Sequence, residues 1–123
     1  MAPRPSEPRD LLPLTPAAFH ILLSLVEGER HGYAIMREVE ERTAGEVRLG
    51  PGTLYGAIKR LLEQGVVEEL EMRPAPEAAE ERRRYYRLTG YGRQVVAAEA
   101  ERLERLVRLA RAKKLIPRAA GPA

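Results

Sequence analysis

The stretch GPGTLYGAIKRLLEQGVVEELEM (residues 50–72) decides the architecture. Its first part reads as a helix. Pro51 stands at the first helical position, where its missing N–H is not needed and its fixed φ already suits the helix. Leu54, Ile58, Leu61 and Leu62 follow at the 3.6-residue period and make an inner stripe, and Gly65 ends the run. Measured in 100° steps from Leu54, the opposite face holds Gly52, Gly56, Lys59 and Glu63, with Thr53 and Arg60 on one flank and Tyr55 on the other. An interior glycine weakens a helix by about 1 kcal/mol relative to alanine. A purely structural helix gains nothing from two of them, whereas a helix whose outer backbone must approach another molecule does. At Val66 the period changes, and Val66 to Met72 reads as a short strand.

Upstream lie two more helices. Thr15-Pro16 is an N-cap followed by proline, and Ala18, Phe19, Leu22, Leu25 and Val26 recur at helical spacing up to Gly28. Ile21 and Leu23 add apolar flanks, so this helix is apolar most of the way round and calls for cover on more than one side, part of it from a second subunit. The next helix fits 31–43: Tyr33 is near its start, Ile35, Met36 and Val39 point inward, and Arg37, Glu38, Glu40, Glu41 and Arg42 point outward. Downstream, Tyr85 to Leu88 reads as a second strand, with one of Tyr85 and Tyr86 in the core and the other exposed. Residues 73–81 between the strands are polar and proline-bearing and read as a long loop, which makes a ribbon rather than a tight hairpin. Thr89 caps a last helix reaching about Leu115.

The expected fold is therefore mainly α with a small two-stranded antiparallel β-ribbon. Residues 1–13, with four prolines among charges, form a disordered arm; 14–89 form the domain; 90–116 form a C-terminal dimerisation helix; 117–123 form a disordered tail. On the last helix Tyr91, Val95, Val96, Ala100, Leu103, Leu106, Val107 and Ala110 lie on or near one stripe, more than a small domain can cover. The candidate dimer interface is Phe19, Val96, Leu103, Leu106, Val107 and Ala110. Glu99 falls inside the stripe as a misfit, placed at a wet part of that interface. Arg102, Arg105, Arg108 and Arg111 form its solvated outer face.

Composition narrows the function. A chain of 123 residues suits one domain, and with no Cys it has neither disulfides nor a thiolate site. His20, read as a surface residue, and His31 lack clustered carboxylates at ligand spacing, so no metal is expected. Neither serine sits in a nucleophile turn and no phosphate-cradling glycine loop follows a strand, so an enzyme is not expected, nor a cofactor. No apolar run approaches a membrane span and the first residues do not form a leader, which places the protein in the cytoplasm, away from membranes. The formal charge of +3 hides a split: residues 1–81 carry 9 basic and 15 acidic side chains, residues 82–123 carry 12 and 3. Such asymmetry fits a polyanionic partner, and equally a solvated arginine-rich face.

Three helices, a strand, a second strand and a helix are the elements of a winged helix-turn-helix domain, in which the third helix enters the DNA major groove and the ribbon touches the backbone. The candidate DNA contacts are Gly52, Thr53, Tyr55, Lys59 and Arg60 on the third helix and Arg82, Arg83 and Arg84 on the wing. Tyr55 has two roles open to it, a ring packed on Leu62 and a hydroxyl offered to phosphate. Two other readings stay open: a winged-helix protein-interaction module without DNA binding, its acidic half facing a basic partner, and a ligand sensor acting through a protein partner.

Leu14-Thr15 to Leu25, His31-Gly-Tyr-Ala-Ile35, Gly52-Thr-Leu-Tyr-Gly-Ala-Ile-Lys-Arg-Leu-Leu62, Glu63-Gln-Gly-Val-Val67 and Arg83-Arg-Tyr-Tyr-Arg-Leu-Thr-Gly-Tyr-Gly92, in this order, resemble the PadR-like transcriptional regulators. The resemblance spans 14–92. It implies a winged-helix domain binding double-stranded DNA, a C-terminal dimerisation helix, and a homodimer that usually represses and often responds to a small-molecule effector. The single last helix resembles the smaller subfamily. Two departures stand out: Gly56 replaces a common proline, and the wing loop is longer and more acidic than the usual Gly-Arg-Pro turn. An aromatic drug pocket between first and last helices is not supported here, since the chain has no Trp and one Phe, and places Leu103 and Leu106 in that region.

Overall fold

Among the described residues, four α-helices start where a cap or a proline lets them. In α1 (Pro16–Ser24) the Thr15 hydroxyl oxygen accepts the Ala18 amide at 3.1 Å. In α2 (Gly32–Arg42) the cap is His31, whose Nδ1 accepts the Ala34 amide at 3.1 Å. Helix α3 (Pro51–Glu63) opens on Gly50-Pro51, and α4 (Gly90–Ala112) on Thr89, which accepts the Gly92 amide at 2.9 Å. The computed structural model describes residues 7–75 and 78–117, with no side chains described at 75 and 78–82.

The sheet has three strands, not the expected two. Strands β1 (Arg30–His31), β2 (Val67–Ala75) and β3 (Ala78–Leu88) lie in the order β1-β3-β2, all antiparallel. The extra strand is two residues long, too short to carry a period; it pairs Arg30 with Tyr86 and His31 with Tyr85. The long loop expected over 73–81 is mostly ladder: β2 and β3 pair from Val67 with Leu88 out to Ala75 with Ala78, with irregularities after Glu69 and Pro74. Cross-strand charge pairs, Glu68 with Arg87 and Glu69 with Arg84, replace the apolar alternation that would have marked it as strand. Tyr85 and Tyr86 are both buried, where one was expected outside. Tyr86 enters the core, while the other face of β3 is shielded because His31 meets the Tyr85 ring edge-on and the Arg73 guanidinium lies 4.3 Å from its centroid. Arg73 is itself tied to Glu29.

Ile21, Leu22 and Leu25 of α1, Ile35 and Val39 of α2, Leu54, Ile58 and Leu61 of α3, and Val66 and Val95 are the centre of the core. Gly65, at φ +75°, closes α3 and lets the Val66 amide reach back to the Leu61 carbonyl at 3.0 Å. From this turn the chain enters β2, and α4 returns to it. The Thr89 hydroxyl donates to the Gly65 carbonyl at 2.6 Å, and the Thr89 amide donates to the Val66 carbonyl at 3.1 Å. The foot of α4 is thus fastened to the end of α3. The helix stops at Ala112 rather than near Leu115, because Lys114 turns left-handed at φ +62°.

The arm is another correction. Residues 1–6 and the tail 118–123 lie outside the described residues, but the segment 7–13, expected to be disordered, includes a 3₁₀ turn over Pro8–Leu11. Leu11, Leu12 and Leu14 pack half-buried against the core. Glu99 explains why. It is not at a wet interface but 1 % exposed, its Oε2 accepting the Leu14 amide at 2.7 Å and its two oxygens taking a fork from Arg102 at 2.5 and 3.2 Å. The Arg102 hydrogen bonds, helped by the Leu14 amide, hold the Glu99 carboxyl below the usual carboxylate range against its burial. A carboxylate depressed in the folded state contributes stability above its unfolded pKa and loses it as pH falls through the folded one. Glu99→Gln is therefore expected to cost about 2 kcal/mol at neutral pH. In thermal melts, its deficit relative to wild type should shrink as pH falls through the ordinary carboxylate range, where the unfolded chain takes up a proton that the folded chain still refuses. A deficit that stays constant over this range would show that the charge of Glu99 does not hold the arm.

Candidate nucleic-acid interface

The outward side of α3 is open. Gly52, Thr53, Lys59 and Arg60 are exposed. A Cβ added to Gly52 would meet nothing within 4 Å, and one added to Gly56 would meet only an Arg60 guanidinium nitrogen at 3.9 Å. No packing among the described residues requires a glycine at either place. Among the described residues neither Lys59 nor Arg60 makes an ion pair. Arg60 also borders a cavity of about 160 Å³ together with Leu11, Pro13, Leu14 and Gln64.

Tyr55 is 46 % exposed, and its phenol ring lies across the first residue of α2. A Cβ on Gly32 would fall 2.9 Å from the ring Cζ and 3.1 Å from Cε1, so a side chain there would push the exposed Tyr55 phenol off the start of α2. That glycine was not singled out in the sequence beyond its place in His31-Gly-Tyr33; its partner is 23 positions away. Beside it, Tyr33 is exposed, with the Arg37 guanidinium 5.8 Å and the Arg83 guanidinium 5.2 Å from its ring centroid.

The arginines of the wing do not act as one patch. Successive strand residues face opposite ways, and Arg83 leans on Tyr33 of α2 while Arg84 pairs across to Glu69 at 3.0 Å. The side chain of Arg82 lies outside the described ones. His20, expected at the surface, is half-buried: Arg42 lies 3.3 Å from its Nδ1 and also donates to its carbonyl at 3.0 Å. Burial first, then the Arg42 charge, lower its pKa. Among the described residues no three His, Asp or Glu side chains gather as a metal site would need, and no helix is long and apolar enough to cross a membrane.

The candidate dimer face divides. Val96 is 7 % exposed and packs in the chain's own core, so it is corrected to a core residue. Phe19, Leu103, Val107 and Ala110 are half-buried and Leu106 is exposed. The buried residues of α4 are Gly92, Val95, Val96 and Glu99, and beyond Glu99 the helix buries none. Exposed Leu109 belongs to the same uncovered half and was missed because it lies off the main stripe.

A three-helix cluster whose α2 and α3 form the helix-turn-helix, followed by a protruding β-hairpin, defines a winged helix-turn-helix protein. Residues 21–98 match the Transcriptional regulator PadR-like family, and the chain belongs to that family. It is 40% identical over 86 residues to an uncharacterized 37.1 kDa protein in transposon TN4556 of Streptomyces fradiae, a match covering 70% of this chain but 22% of that longer protein. Among solved structures, a PadR family transcription regulator from Clostridium difficile R20291 shares the fold with a TM-score of 0.67 at 24% identity, covering 78% of this chain and 95% of that one. RosR of H. salinarum is 30% identical, with a TM-score of 0.57, covering 85% and 99%.

Proposed function

We propose that the protein is a sequence-specific DNA-binding transcriptional regulator that works as a homodimeric repressor, with α3 in the major groove and the wing along the backbone. The observation that carries this reading is the outer face of α3, where two glycines that the chain's own packing does not need lie beside exposed Thr53 and Lys59. Bare backbone at these positions lets the helix sit deep in a groove, Thr53 suits a base edge or a phosphate, and Lys59 suits a phosphate. A two-fold dimer would set its two reading helices about 34–36 Å apart on an inverted repeat. Family membership adds release by a small-molecule effector to this reading.

The alternative of a protein-contact module rests on the acidic half of the chain, residues 1–81, which includes the outer face of α2. Much of that face is spent within the chain, since Glu38 pairs with Arg30 and Arg42, Glu40 with Arg48, and Glu41 loosely with Arg37. The test is a salt titration of binding to the DNA upstream of the protein's own gene. Wild type should bind there more tightly than to unrelated duplex. Lys59→Ala should weaken binding and lower the slope of log K against log salt by about 0.9 for each phosphate left without its cation. Equal binding to both DNAs would refute sequence-specific regulation, and an unchanged slope would refute the Lys59 contact.

A further inference from the structure

The cavity of about 160 Å³ beside α3 is not used by the helix-in-groove reading. It is bordered by the arm, the start of α1 and the second half of α3. Buried Ala18, Ala57 and Leu61 and half-buried Leu11 and Leu14 give it an apolar lining. An aliphatic cavity of about 150 Å³ holds a body the size of one six-membered carbon ring. The polar side chains at its border are Thr15, Arg60 and Gln64, all exposed, and none of the described residues that line it is acidic. These three share one chemistry. The Thr15 oxygen already accepts the Ala18 amide, which leaves its O–H to donate. Arg60 only donates, and the Gln64 amide nitrogen donates as well. Donors around one cation, over an apolar floor, suit a head that accepts only and carries a single negative charge, as a carboxylate does.

We infer that this cavity binds a small carboxylate with a compact aliphatic body, and that binding draws Arg60 away from the DNA. The inference rests on the regulator reading above, and gives its effector a chemistry and a place. Arg60 belongs to two surfaces. It borders the cavity, and its Nη1 is 3.9 Å from where a Cβ on Gly56 would stand, on the outer face of α3. A guanidinium forked onto a carboxylate at the cavity is no longer offered to a phosphate. The coupling is reciprocal, so DNA weakens carboxylate binding by the same factor.

The test adds sodium cyclohexanecarboxylate to the full-length protein without DNA and follows the backbone amide shifts. A Kd of about 1 mM or below is expected. The shifts should centre on residues 11–18 and 57–64, which border the cavity. Acetate has the head without the body, and cyclohexanecarboxamide the body without the charge, so each should bind at least about tenfold more weakly. Arg60→Gln should weaken the acid about tenfold and leave the amide as it is. Shifts centred elsewhere overturn the site. So does acetate or the amide binding as tightly as the acid, or Arg60→Gln holding the acid as tightly as wild type. On DNA, saturating acid should weaken wild type about tenfold relative to equal acetate and lower the salt slope by about 0.9 per protomer, and Arg60→Gln should show neither change. Acid that fills the cavity with DNA affinity unmoved overturns the coupling. If wild type binds no duplex, the regulator reading and the coupling fall together, while the carboxylate site is still decided by the shifts measured without DNA.

Discussion

Replacing Leu103 and Leu106 by glutamate is expected to leave a folded monomer that binds its operator at least about a hundredfold more weakly, since it engages one half-site at a time. The reasoning starts from where α4 loses its cover. The first half of the helix buries Gly92, Val95, Val96 and Glu99 against the chain, and the second half buries nothing, leaving Leu106 49 % and Leu109 54 % exposed. Burying a leucine against a partner contributes about 2 kcal/mol, and two-fold symmetry counts each position twice. Removing four such side chains and placing four carboxylates at the seam raises the dimer dissociation constant by well over about a thousandfold. The protomer core does not use this half, so helix content and the unfolding transition should persist. Light scattering at micromolar protein gives the answer, and a dimer mass for the double variant would refute the interface.

Gly92→Ala is expected to destabilise the fold by about 3 kcal/mol or more. Its thermal midpoint should fall by more than about 10 °C. In most helices this change stabilises, by about 1 kcal/mol. Here the new Cβ would be driven inside the contact shell of the Val66 carbonyl, 3.0 Å from its carbon, and 3.3 Å from a methyl of Leu88. Neither neighbour yields easily. The Val66 carbonyl already accepts the Thr89 amide, and Thr89 caps α4 through the Gly92 amide, so the helix would have to lift off its own anchor. Gly90→Ala is the matched control, because a Cβ there meets nothing within 4 Å. Equal melting of the Gly92 and Gly90 variants would show that α4 is not fastened at this point.

Much of this architecture was legible because apolar stripes and caps repeat locally. Thr15-Pro16, Thr89 and the Leu54 stripe are each read within one or two turns. What escaped depends on partners far along the chain. Strand β1 is two residues long and exists only because β3 offers it an edge. In sequence the wing reads as a loop because its alternation is between charges of both signs rather than between apolar and polar residues. Glu99 looked like a fault in a dimer stripe, yet its purpose is an amide 85 positions away. Val96 shows the limit of periodicity, which finds an apolar face without telling whether the same chain or a second one covers it. On the candidate site, Gly52 and Gly56 declared themselves by standing on the wrong face of an apolar helix. Gly32 and Gly92 do not, since one lies under a distant phenol and the other against a distant backbone carbonyl that must fit beside it.

The fastening of α4 to the end of α3 has a mechanical meaning. At 23 residues, α4 is about 34 Å long. In the proposed dimer each reading helix rides at the foot of a lever whose far half grips its twin. A swing of about 5° about the centre of the grip, about 26 Å from the foot, moves the foot by about 2 Å, more than half of one base-pair step along the duplex. Because the joint at Thr89 and Gly92 has no slack, that swing is passed on to the reading heads rather than absorbed. Small changes in packing along the helical seam are thereby geared into a mismatch between the protein and the spacing of its two half-sites.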